Sequence, residues 1–146
     1  MIGGGEGCRV EGEEVRDVSA GRGTPPGERT AFGRRQEDLA VRFLQASGLT
    51  VLERNVRLGH DEIDVVARDG EELVFVEVRS RQAGGVGSPE GSVGRVKRRR
   101  LIRAAARWLD ERGHGGAECR FDVVAIVVDA EGKARLRHWP GAFVLR

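Results

Sequence analysis

Two carboxylates and a guanidinium, spaced Asp64-x12-Glu77-x-Arg79, are the residues of this chain whose types and separation could do chemistry. Glu77 stands out because it interrupts a strand-forming run, 74-VFVEVRSR-81, in which Val74, Phe75, Val76 and Val78 favour an extended backbone. A lone carboxylate in such a run loses its water, and an unpaired buried charge is costly or shifts its pKa. Glu77 therefore needs a partner. Asp64, in the segment Glu62-Ile63-Asp64, is a second carboxylate within reach if the two segments lie side by side.

The intervening residues argue that they do. Segments 62-EIDVVARD-69 and 72-ELVFVEVRSR-81 both read as strands, and Asp69-Gly70 between them is a strong tight-turn signal for a hairpin. With side chains alternating, Glu62, Asp64 and Val66 share one face, as do Phe75, Glu77 and Arg79. If Asp64 and Glu77 project to one side, their carboxylates converge and repel, raising one pKa unless a cation sits between them. Mg2+ suits such a pair, since it takes one or two carboxylates and keeps several waters. It can activate water and stabilise charge developing on a phosphate, with a cationic side chain holding the phosphate nearby. The same spacing also suits a cross-strand ladder of ion pairs with no catalytic role, and spacing alone leaves both readings open.

The other elements frame this hairpin. Residues 31–47 read as a helix that ends at Gly48. At roughly 100° per residue, Gln36, Ala40, Phe43, Leu44 and Ser47 share a face, and Glu37 borders it. A strand is expected over 49–57. After the hairpin, the glycine-rich 82-QAGGVGSPEGSVG-94 reads as a mobile loop leading into a helix over about 93–112. Leu101, Ala104, Ala105 and Trp108 form that helix's apolar face, and Lys97, one turn before Leu101, points toward the sheet with them. Residues 120–129 read as a strand buried on both faces, and 133–139 as a last strand. The order αβββαβ(β) implies an α/β domain, with a mixed sheet between helices, over residues 30–146.

The bulk properties bound the rest. A chain of 146 residues suits one domain, and no apolar run approaches the length of a membrane span. Residues 1–29 are rich in Gly and Glu, lack the apolar core of a secretory signal, and read as a disordered or loosely attached tail. A cytoplasmic protein is the expectation. Cys8 and Cys119 make neither a disulfide framework nor a zinc knuckle. The net charge of +2 hides a segregation: beyond residue 30 there are 21 basic residues against 17 acidic ones. Only Lys97 and Lys133 are lysines.

Several motifs in series, GRRQEDLA, ERNVR, DEIDVVARDG, LVFVEVRSR, the helix beginning at Lys97, RFDVV and HWPGAF, resemble the YraN-like family of bacterial proteins. The resemblance runs from about Gly33 to Phe143. That family looks like a branch of the restriction-endonuclease-like PD-(D/E)XK superfamily, similar to archaeal Holliday junction resolvases. The resemblance implies that Asp64 and Glu77 are metal ligands, that Glu37 completes the metal site, and that the metal is Mg2+ or Mn2+. Glu62 belongs to the motif as a partner of these ligands or as a charge at the rim. Arg79 departs from the pattern, which has lysine there. Arginine stays protonated, so position 79 is expected to orient hydroxide or neutralise a phosphate oxygen rather than act as a base. Lys97 matches a lysine position in the family and is the candidate to supply the missing role; a plain phosphate contact is the other reading. Resolvase-like relatives also make a homodimer the expectation by analogy.

A run of cations, Arg95, Lys97, Arg98, Arg99, Arg100, Arg103 and Arg107, holds no acid. Beside a carboxylate pair it suits a nucleic-acid backbone, and phosphate contacts of this kind position a substrate without reading sequence. His138 and Trp139 are expected to pack the last strand. Three functions follow: a metal-dependent endonuclease acting on DNA, with branched or damaged DNA as candidate substrates; a nucleic-acid-binding module that keeps the fold without cleaving; and a structural adaptor whose charged hairpin binds another protein.

Overall fold

The structure, a computed structural model, describes residues 31–84 and 94–143 in full, together with the backbone of a strand at Cys8–Arg16. Its elements are β1 (Cys8–Arg16), α1 (Ala31–Ala46), β2 (Thr50–Leu58), β3 (Asp61–Asp69), β4 (Glu72–Gln82), α2 (Arg95–Glu111), β5 (Cys119–Val128) and β6 (Lys133–Phe143). The six strands form one sheet in the order β1-β6-β5-β4-β3-β2. Only β4 and β5 run parallel, as the crossover through α2 requires; every other pair is antiparallel. This is the α/β core, with a mixed sheet between helices in the order αβββαβ, expected from the element order.

The sheet buries both faces. On one side Leu39, Ala40, Val41 and Leu44 of α1 pack on Val65, Ala67, Val74, Val76, Val124 and Ile126. On the other, Leu101, Ala104, Ala105, Trp108 and Leu109 of α2 pack on Ile63, Val66, Phe75, Phe121 and Val123. The central strands supply side chains to both layers, which explains why residues 121–126 are continuously buried. Helix α1 stops where expected: Gly48 adopts φ +102°, and the Leu49 amide donates back to the Leu44 carbonyl. Among the described residues no helix is long and apolar enough to cross a membrane.

Two features differ from the sequence reading. Residues 8–16, placed in a loose tail, pair antiparallel with β6 and close that edge, whose backbone groups would otherwise stand open. The rest of the segment 1–30 lies outside the described residues, as do residues 85–93 of the glycine-rich loop. The last strand is also longer than expected and reaches Phe143 across Pro140 and Gly141. It does so through an irregularity: Phe121 pairs with Phe143, but Val123 pairs with Trp139. Gly141 takes φ +62° there, and its amide donates to Asp122 Oδ1 at 2.9 Å.

Candidate functional site

The β3–β4 hairpin turns through Gly70 and Glu71, with Asp69 paired to Glu72, and its ladder continues only to Val65–Val76. Beyond that point the strands part. The Val78 amide, which a continuing ladder would give to a backbone carbonyl, donates instead to Asp64 Oδ2 at 2.8 Å. Asp64 thus stands at the fork, and its carboxyl lies within hydrogen-bonding reach of Glu77.

Glu77 follows Phe75 on the α2 side of the sheet and is 6 % exposed. Burial first, and then the negative charge of Asp64, push its carboxyl up to about 7. Lys97 opposes this shift. From the first turn of α2 its ammonium reaches Glu77 Oε2 at 3.0 Å while half the lysine side chain stays exposed. Lys97 therefore does point to the sheet, and it meets the carboxylate at the site's centre. Arg79 is half-buried on the same side, and its Nη1 is occluded without a hydrogen-bond partner among the described residues. A polar group in that state normally signals an absent ligand, ion or water.

Glu37 is 6 % exposed and has interactions of its own, but it sits on α1, which packs against the opposite face of the sheet. Among the described residues, no three His, Cys, Asp or Glu side chains are grouped to hold a metal. A two-carboxylate arrangement still suits Mg2+, which favours few protein ligands and several waters. The hydrogen-bonded, mutually repelling pair is also short of positive charge that Lys97 supplies only in part. The residues present therefore fit a divalent cation held by Asp64 and Glu77. Glu62 is exposed on β3.

The basic face of α2 is shorter than its sequence suggests. Arg103 makes a two-pronged bond to Asp61 at 2.8 and 2.9 Å, and this pairing holds the Asp61 carboxyl below its ordinary range. Arg107 pairs with Glu111. Arg112, just past the helix, pairs with Glu53. Arg98 lies over the Phe143 ring at 5.4 Å. Arg95, Arg99 and Arg100 are exposed beside Lys97. The exposed cations Arg95, Lys97, Arg99 and Arg100 thus gather in the first two turns of α2, and Arg103 is committed to Asp61, the first residue of β3.

A second polar centre escaped the sequence reading. Asp122 is fully buried on the α1 side, where its two oxygens accept from Arg120 Nε (3.0 Å), the Gly141 amide and His138 Nε2 (2.8 Å). Burial opposes its ionisation, but the hydrogen bonds from His138, Arg120 and Gly141 together hold its carboxyl below the usual range. Arg120 continues to Asp69 and Glu72 at the hairpin end. The RFD and HWPGAF motifs are therefore two halves of one strap. His138 packs edge-on against Phe43 of α1, so it is a core histidine with a partner, as its strand position suggested. The signal for Asp122 was an acid in an apolar run, the same signal that singled out Glu77.

Comparison with known proteins agrees with the motif series. The pattern of the Uncharacterised protein family UPF0102 matches residues 36–126. A UPF0102 protein of Anaeromyxobacter dehalogenans is 47 % identical over 86 % of this chain and 93 % of its own length. One from Beutenbergia cavernae is 49 % identical over 76 % of this chain and 94 % of its own. Among solved structures, SfsA of Pyrococcus furiosus in complex with Ca2+ aligns at 14 % identity with a TM-score of 0.39, covering 74 % of this chain and 64 % of that one. The chain belongs to the UPF0102 family, the YraN-like group of restriction-endonuclease-like proteins that its motifs resemble.

Proposed function

We propose that this protein is a metal-dependent endonuclease that hydrolyses DNA phosphodiester bonds, with Asp64 and Glu77 as the cation-holding pair. The observation that carries the reading is the convergence of these two carboxyls at the fork of β3 and β4, with Glu77 pushed up to about 7. Mg2+ or Mn2+, when bound, would neutralise phosphate charge and acidify water beside it.

The chain's own groups divide the remaining work. Glu77, raised to about 7 in the metal-free protein, gives up its proton as the cation binds and then serves as a carboxylate ligand. Lys97 holds the site while it is empty of substrate and can turn its exposed ammonium to a phosphate oxygen. Arg79 brings a permanent charge and an unused Nη1 donor, which suits it to a phosphate oxygen and not to base catalysis. Arg95, Arg99 and Arg100 extend the contact to neighbouring phosphates without reading bases.

One observation favours a second reading, a nucleic-acid-binding module that does not cleave. Lys97 already supplies a positive charge to Glu77, as a resident cation would, and Arg79 replaces the lysine of the family pattern. Labelled duplex, single-stranded and four-way-junction DNA incubated with Mg2+ or Mn2+ separates the two. Cleavage by the wild type that disappears in Asp64→Ala and Glu77→Ala supports the nuclease. DNA that is bound but left whole, even by Arg79→Lys, supports the module.

A further inference from the structure

Asn55 is the one non-glycine residue with a positive φ among the described residues, and it sits inside a strand. Its φ of +52° is the left-handed conformation, which asparagine tolerates and β-branched residues avoid. Nothing about an exposed strand position demands this; the cause lies in its neighbours across the sheet.

Arg54 reaches α1, bonding Asp38 at 2.6 Å, and its partner Val65 packs in the α1-side core. Two residues along, Val56 and its partner Ile63 both pack in the α2-side core. In a regular strand, residues i and i+2 stay on one face. Both strands therefore change face together, between the pairs Arg54–Val65 and Val56–Ile63. The residues between those two pairs are Asn55 on β2 and Asp64 on β3. The alternation that grouped Glu62, Asp64 and Val66 on one face is broken at this point.

The crossing has a consequence for Asp64. The β3–β4 ladder ends one residue before it, at Val65–Val76, and the Asp64 carboxylate takes the Val78 amide that a backbone carbonyl would otherwise accept. A carboxylate that accepts a ladder amide lies in the plane of the sheet, between strands. There it reaches Glu77, instead of standing above the sheet on β3.

We propose that Asn55 is a positioning residue: its left-handed backbone carries β2 and β3 through a change of face and so turns the Asp64 carboxylate toward Val78 and Glu77. The role in metal binding rests on the reading of Asp64 and Glu77 as one site; the role in placing Asp64 does not. Asn55 acts through its backbone, so glycine should replace it and valine should not.

The test uses the full chain and two readouts: hydrogen exchange of the Val78 amide without metal, and calorimetric titration with Mn2+. Asn55→Gly should keep Val78 protection and Mn2+ affinity within about twofold of wild type, because glycine reaches the same φ freely. Asn55→Val should lower Val78 protection about tenfold while leaving the Val74 and Val76 amides protected, a loss confined to the fork. Where the wild type binds Mn2+, Asn55→Val should weaken it by roughly tenfold or more, as loss of a ligand-orienting contact does. Arg54→Ala, which only breaks the ion pair to Asp38, should change neither readout. Wild-type Val78 protection in Asn55→Val would overturn the proposal, as would Asn55→Gly being as damaging as Asn55→Val. A wild type that ignores Mn2+ would count against the metal reading alone, because the Val78 amide reports on Asp64 with no metal present.

Discussion

The Lys97 ammonium lies 3.0 Å from Oε2 of Glu77, joining the first turn of α2 to the middle of β4. The partners differ in exposure, with the lysine side chain 55 % accessible and the glutamate 8 %. Glu77 is fixed by the sheet while Lys97 is free to leave. A cation that neutralises the resting site and can move to substrate is what an arginine at position 79 cannot replace by losing a proton.

Glu77 should cost the fold stability at neutral pH. Its carboxyl, raised to about 7 by burial and by Asp64, keeps a proton that the unfolded chain releases near its ordinary 4.5. Its contribution to stability is therefore full below about 4.5 and is lost as pH rises through about 7. Glu77→Gln should remove that dependence, so its Tm at pH 8 should exceed the wild type's by roughly 3–6 °C, with little difference at pH 4.5. Thermal melts of both proteins across this range check it.

Asp122 should behave in the opposite way. Its carboxyl is held below the ordinary range, so its contribution is present above the unfolded value of 3.8 and is lost as pH falls through the lower folded value. Asp122→Ala leaves Arg120, His138 and the Gly141 amide without their common acceptor. Removing one member of such a buried network costs about 3–5 kcal/mol. Urea unfolding at pH 7 should show a midpoint far below the wild type's, and the Asp64–Glu77 variants should show no such loss.

The arginines of α2 should divide into two groups in DNA binding. Arg99→Ala should weaken binding across all sequences and reduce the slope of log affinity against log salt by roughly one. Arg103→Ala should change neither, because its guanidinium is already committed to Asp61. Fluorescence anisotropy at several salt concentrations separates these outcomes.

The sequence made the hairpin, the two helices and the parallel strand after α2 legible, because each rests on local rules: alternation, a helical stripe, an Asp-Gly turn. It also made Glu77 legible, since a carboxylate in an apolar run needs a partner. What it hid is set by tertiary geometry. The pairing of Arg103 with Asp61 joins residues 42 apart, and no spacing rule connects them. The helical wheel placed Glu37 at the border of the inner face of α1, and the residue is buried there, but a wheel does not say which face of the sheet that helix covers. The change of face at Asn55 was half visible: asparagine is a poor strand former, yet ERNVR still reads as a plain strand when alternation is assumed to hold throughout.

The central claim, that Asp64 and Glu77 are one divalent-cation site, is tested most directly by calorimetric titration with Mn2+ at pH 7, in buffers of different ionisation heat. The wild type should bind one ion and release protons from the Asp64–Glu77 pair, and Asp64→Ala and Glu77→Gln should each abolish binding. Wild-type protein that takes up no Mn2+, or binding that survives unchanged in both variants, would contradict it.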